Sequence, residues 1–365
     1  MAPALPHREA VMVPVKGMPA TAVPPIPVSL HGLEVNLLGW ANGVGLSRDL
    51  DLLHDVLTQA GCAVTITAFD RSRSHAWHRP RLLKARRTWS WLRNRVNDPR
   101  FDLNIMVEHL RPGWLNLARH NAFLPNPEWF APRKVAQLKG IHTVLCKTRH
   151  AQAIFDGLGC FTAQLGFTND DRYRPEVVRE PAFFHLAGKS PLKGTARLLD
   201  VWERHPEWPT LTIVQHPDRA TRRTRAANVD HRMGYLPEAE LITLQNANRF
   251  HLCPSETEGF GHYLVEAMAV GAVVLTLDAA PMNELVTPER GVLVPAGPGR
   301  PQGLATAHAM DEEALEATIH RVLGWPDARL HALGAQARAW YEANDAAFRL
   351  TLPQVVGQLC GRSGR

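Results

Sequence analysis

Short apolar runs alternate with stretches of helical period through most of this 365-residue chain. LEVNLLGW (33–40) predicts a first strand, and the loop ANGVG (41–45) follows it. Ser47 is placed to N-cap a helix whose apolar residues Leu50, Leu53, Leu57 and Ala60 keep helical spacing until Gly61 ends it. AVTITAF (63–69) reads as the next strand, and FDLNIMV (101–107), NAFLP (121–125) and HTVLCK (142–147) read as buried-strand candidates. The pattern then restarts. AFFHLAG (182–188), TLTIVQ (210–215) and RFHLCP (249–254) read as strands, with helices over 194–205 and 237–248 between them. HYLVEAMAVG and AVVLTL follow, then a helix from about Asp311 to Leu323.

Alternation of this kind is the signature of parallel α/β sheets, and its restart predicts two doubly wound units with a cleft between their carboxyl ends. The expected division is a Pro-rich leader over 1–31, a first domain over 32–178 and a second over 179–340. A helix within 341–365 is expected to pack back on the first domain.

Composition changes little in this picture. With 45% hydrophobic and 21% charged residues the chain is of ordinary globular type, and no apolar run approaches the ~20 residues that span a bilayer. Seven prolines in the first thirty residues break up any signal-peptide core. Five scattered cysteines fit a reducing cytoplasm without a disulfide framework.

Charge adds more. The net charge is +6, but residues 71–97 hold nine Lys/Arg and no acid, which leaves −3 for the remainder. The basic character is therefore local and points to an anionic partner there. In RLLKARRTWSWLRNRV (81–96), Leu82, Ala85, Trp89, Leu92 and Val96 form one helical stripe, while Arg81, Lys84, Arg86 and Arg87 lie off it. Such a helix suits an anionic membrane surface or an anionic acceptor, and it equally suits plain packing on the sheet with its arginines in water.

The segment SETEGFGHYLVEAMAVGAVVL (255–275) carries the candidate chemistry. It follows a strand and opens a helix, so the amides from Gly259 to His262 are expected to face the cleft as an anion site. Glu258 and Glu266 would repel a phosphate, so their carboxylates should accept hydrogen bonds from neutral diols. One acid at the loop and one a turn into the helix could grip diols on either side of a diphosphate. A nucleotide-sugar has that layout.

Glu258-Gly259-Phe260-Gly261 with Glu266-Ala267-Met268-Ala269 resembles the E-x7-E motif of the retaining GT-B glycosyltransferases of family 4. HLAGKSPLKGTARLLDVW, GYLPEAELITLQNANRFHLCPSETEGFG, MNELV with RGVLVPAG, and GFTNDDRYRP resemble further segments of that family, and the likeness extends over most of 33–345. It implies an α/β GT-B fold of two Rossmann-like domains facing a central cleft, and hexose transfer from a nucleoside-diphosphate sugar with retention of configuration. The acceptor hydroxyl would attack the donor on its front face while the leaving phosphate takes the proton. The acceptor would be a saccharide or lipid-linked glycan; a small metabolite remains open and nucleic acid is least favoured. No cofactor or metal is implied.

By the same resemblance Glu258 holds the transferred sugar, Glu266 holds the ribose, Lys189 and Lys193 neutralise the diphosphate, and Leu236 lines the base. Gly43 and Gly45 correspond to the first glycine loop, and His109 to a histidine near the donor sugar, though a satisfied core histidine reads as well. Lys189 stands where the family usually has arginine, and lysine cannot clamp bidentately. Glu284 aligns with a family glutamate near the donor, or serves a surface role. Asp49-Leu50-Asp51 reads as acids favoured in a first helical turn rather than as a metal site. A GT-B sugar-nucleotide epimerase and a non-catalytic anion-binding module remain as alternatives. Cytoplasmic location is expected, with peripheral attachment to the inner membrane face as an option.

Overall fold

The computed structural model of the chain describes residues 29–40, 45–69, 99–220, 224 and 226–361, with backbone alone at 45–47. Gly43, nearly all of the leader, and the basic segment with Arg81, Lys84, Arg86, Arg87 and Trp89 lie outside the described residues.

Strand β1 (Glu34–Trp40) buries its five central residues, as a strand covered on both faces must. Helix α1 (Gly45–Gln59) packs Leu50, Leu53, Val56 and Leu57 on the sheet. It starts at Gly45, so Ser47 lies in its first turn and is not the cap. Then come β2 (Ala63–Phe69), β3 (Phe101–Val107), β4 (Ala118–Leu124), β5 (Thr143–Cys146), α2 (Arg149–Gly157) and β6 (Thr162–Gln164). The six strands are parallel in the order β2-β1-β3-β4-β5-β6. An amide ladder fixes the register at the centre. Asn36 donates to Asn104 Oδ1 and Asn104 to Asn121 Oδ1, each at 2.9 Å, and the three residues are buried and face one another across β1, β3 and β4. A one-residue slip would leave these amides unpaired in the core.

The second domain comprises β7 (Glu180–Gly188), α3 (Thr195–Arg204), β8 (Leu211–Gln215), β9 (Val229–Met233), α4 (Glu238–Ala247) and β10 (Asn248–Cys253). It continues with α5 (His262–Ala269), β11 (Val273–Leu277), α6 (Met282–Leu285) and β12 (Val292–Val294). This sheet is also parallel, in the order β12-β11-β10-β7-β8-β9. Strand order reverses between β1 and β3 in the first sheet and between β7 and β10 in the second. Crevices open at the carboxyl ends of such pairs.

An antiparallel hairpin, β13 (Ala296–Gln302) and β14 (Ala305–Met310), extends from the second domain to the first. Its tip reaches the turn after β4, where Leu304 N donates to Pro127 O at 2.9 Å. Helix α7 (Glu312–Leu323) starts at an Asp311 cap. The last helix, α8 (Asp327–Leu359), is one 33-residue element with Pro353 inside it. The boundary expected at 340 falls within this helix. Leu330 and Leu333 are buried and Gly334 packs on Gly271 just after the second domain's α5, whereas Phe348 meets Phe167 of the first domain at 5.0 Å between ring centres. Tyr341 Oη also donates to Asn169 O at 2.8 Å. No helix among the described residues is long and apolar enough to cross a membrane. No disulfide joins the five cysteines, all of which lie among the described residues.

Candidate active site

The two strands at the reversal of the second sheet deliver the expected residues to one place. After β7, the chain turns through Lys189 to Lys193 and enters α3 at Gly194, which has φ +69° and lies against Pro254 O. After β10, Ser255 and Glu258 follow. Lys193 Nζ lies 2.6 Å from Glu258 Oε1, and Ser255 Oγ donates to the same oxygen at 2.5 Å. The ammonium also sits 3.2 Å from the centre of the Tyr263 ring. Glu258 is thus oriented by Lys193 and Ser255 while its side chain stays 16% exposed. His185 ties the framework together from below, its ring nitrogens bonded to Leu252 O at 2.8 Å and Thr195 Oγ1 at 2.9 Å. Burial pushes that imidazole down to about 4, so it is a neutral brace.

The glycine loop is held by packing on both of its sides. Gly259 is packed against the first domain, where a Cβ would collide with the Asn126 amide. Phe260 is 3% exposed and meets Phe167 and His262 edge-on. Its side chain anchors the loop in the core, and only backbone remains to face a ligand. Gly261 has φ +100° and forms the N-cap of α5 without a side-chain bond.

Glu266 is 1% exposed and fully engaged. Arg48 of the first domain donates to its Oε1, Gln245 Nε2 to its Oε2 at 2.8 Å, and Arg172 Nε lies 4.0 Å from Oε1. Burial alone would raise its pKa, but the Arg172 and Arg48 charges outweigh burial and hold it below the usual carboxylate range. The cleft beside it is lined by Arg48, Thr168, Asn169, Arg172, His262 and Glu266.

Lys189 is exposed and lies 5.4 Å from the Tyr235 ring centre, beside the half-buried Leu236. His109 follows β3 at the first sheet's reversal, edge-on to Trp40 at 6.1 Å and with Nδ1 3.4 Å from Glu108 Oε2. Glu108 itself has φ +61°, a strained geometry for a residue with a Cβ and one that collects at functional sites. Gly45 is the first residue of α1.

Several residues at the domain junction were not anticipated. Asp49 is not a solvated helix acid. It is 1% exposed, 2.6 Å from Lys147 Nζ and 2.7 Å from His262 Nε2. Lys147 reaches on to Asn126 Oδ1 at 3.3 Å. Glu284 accepts from Arg149 N at 2.8 Å and His150 N at 2.6 Å, so an acid of the second domain caps α2 of the first. A charged residue at the end of a buried strand, such as Lys147 after HTVLC, was the available signal for the first cluster.

Residues 179–339 match the family model "Glycosyl transferases group 1". The second domain is a group 1 glycosyltransferase domain. Both domains together resemble solved glycosyltransferase structures. A glycosyltransferase from Rickettsia africae aligns with a TM-score of 0.70 at 12% identity, over 91% of this chain and 99% of that one. Sucrose-phosphate synthase from Thermosynechococcus elongatus aligns with a TM-score of 0.66 at 15% identity, over 91% and 100%. Anabaena HepE, solved in complex with UDP and glucose, aligns with a TM-score of 0.60 at 15% identity, over 90% and 99%. At such identities the likeness speaks for the fold, which is GT-B. No curated protein matches the chain in sequence.

Proposed function

We propose that this chain transfers a hexose from a nucleoside-diphosphate sugar to an acceptor hydroxyl, with retention of configuration. The observation that carries the reading is the Lys193–Glu258 pair, 2.6 Å apart at the reversal of the glycosyltransferase domain's sheet. A diphosphate draws Lys193 to itself and frees the Glu258 carboxylate for sugar hydroxyls, so one ion pair holds both groups ready. Lys193 and Lys189 stabilise the charge that appears on the leaving diphosphate, and the acceptor hydroxyl's proton goes to that phosphate. The proposed step uses no metal. Glu266 takes the ribose diol by exchanging its Arg48 bond. His109, after β3 of the first domain, is the histidine assigned to the donor sugar. The HepE complex with UDP-glucose supports a nucleotide-sugar as the donor class to try first. A saccharide or lipid-linked glycan is the acceptor we favour, and the basic segment over 71–97 is the candidate surface for an anionic acceptor or membrane.

The test is a thermal-shift screen with UDP, GDP and ADP, then donor turnover with the matching sugar. Glu258→Gln should keep nucleotide affinity and lose roughly 10- to 100-fold in turnover, the worth of a charged hydrogen bond. Glu266→Ala should weaken the nucleotide itself, and EDTA should leave turnover intact. Normal binding and turnover in both variants would sink the assignment, and sugar-nucleotide conversion without any acceptor would favour an epimerase.

A further inference from the structure

Pro127-Glu128-Trp129 forms one tight turn after β4, and its orientation runs against partition. The tryptophan is 46% exposed and the glutamate only 4%. The turn is clamped in this sense. Leu304 N donates to Pro127 O at 2.9 Å and Gln302 Nε2 to Glu128 O at 3.1 Å. Gly303, with φ +60°, comes so close that a Cβ would collide with Glu128 O. On the other side the Asn126 amide presses on Gly259 of the glutamate loop. The hairpin tip and the glycine loop of the second domain thus hold this first-domain acid inward.

Glu128 Oε2 is buried and has no hydrogen-bond partner among the described residues. The charged groups that act on it are Glu258 after β10, Lys147 after β5 and Glu108 after β3, and the hairpin offers it backbone and a neutral amide. Burial, with Glu258 and Glu108 adding to it, pushes the carboxyl up to about 8. At neutral pH it is an acid that carries its proton. A buried donor without a partner is costly, and natural chains keep such groups mostly where something else completes them.

We propose that Glu128 contacts the substrate: its carboxylic acid proton is donated to a hydroxyl oxygen of the transferred hexose at Glu258. A hydroxyl has one proton to give and two lone pairs to receive, so a carboxylate and a neutral acid can hold the same group. The inference rests on the nucleotide-sugar reading above. It adds a sugar-contacting group from the first domain that exists only when the domains meet.

The experiment measures Kd for UDP-glucose and for UDP, with the full chain, from pH 6.5 to 9. Above about pH 7.5, where UDP's own terminal phosphate is fully ionised, the ratio of the two reports the sugar and cancels the titration of the lysines. In the parent the sugar's advantage should fall about tenfold per pH unit above the carboxyl's pKa. In Glu128→Gln, whose amide still donates, it should persist and be flat with pH. In Glu128→Ala it should drop about tenfold at pH 7, with UDP binding unchanged in all three as the check on folding. A parent ratio that does not vary with pH, or a Glu128→Ala ratio equal to the parent's, overturns the role of Glu128 and leaves the enzyme reading standing. If neither UDP nor the GDP and ADP pairs bind the parent, the nucleotide-sugar reading falls, and this inference with it.

Discussion

Asp49 and Glu128 are buried to nearly the same degree at the junction of the domains, at 1% and 4% exposure, yet they hold opposite charge states. Burial drives both pKa values upward. At Asp49 the Lys147 and His262 charges overcome it and bring the carboxyl down to about 2, whereas at Glu128 two neighbouring glutamates reinforce it and the value reaches about 8. Depth in the fold therefore does not decide ionisation. The partners within reach decide it, and here the chain uses one acid as a fixed charge and the other as a proton carrier.

The strongest way to break the contrast is to remove Asp49. Asp49→Ala strands the Lys147 ammonium, 3% exposed, and should lower unfolding stability by roughly 3–5 kcal/mol. Adding Lys147→Met should recover most of the loss, and a double variant as unstable as the single one would show that the pair is not what matters. Next comes the pH dependence. Glu128 has a folded pKa above its ordinary 4.5, so its contribution to stability is greatest in acid and declines as pH rises toward about 8. Glu128→Gln lacks that decline, and urea midpoints should favour it over the parent by about 3 kcal/mol more at pH 8 than at pH 5. Asp49 has the opposite sign: its stabilisation is present above its ordinary 3.8 and is lost as pH falls through about 2. The smallest effect concerns Glu266, a third buried acid whose partner Arg48 is 39% exposed. Arg48→Ala should change stability by no more than about 1 kcal/mol and tighten UDP binding up to about fivefold by freeing the carboxylate. Weaker UDP binding would mean that Arg48 holds the nucleotide instead of competing with it.

The sequence announces what depends on local pattern. Apolar stretches such as FDLNIMV mark parallel strands because both faces of the sheet are covered, whereas the β-branched run AVTITAF forms the part-exposed strand at the end of the described sheet. Glu258 and Lys193 were legible because two chemically pointed segments follow strands in order. What stayed hidden depends on contacts between distant positions. The hairpin strand AGPGRPQ has the glycine and proline content of a loop, and it pairs because β14 lies beside it. Arg48 and Glu266 are 218 positions apart, and no spacing rule joins them. Asp49 looked like a helix-turn acid because its partners, Lys147 and His262, lie 98 and 213 positions away along the chain. Glu128 next to Trp129 gave no sign which of the two would turn inward.

Helix α8 also sets an order on how the protein comes into being. Phe348, Leu352 and Val356 are buried, and this end of the helix lies where Phe348 packs on Phe167 and α8 meets α1. A ribosome makes the first domain's six strands early but supplies these side chains only after the whole second domain has emerged. Until then the nascent first domain exposes an apolar seat around Phe167, and its maturation must wait for translation of a helix encoded beyond its neighbour.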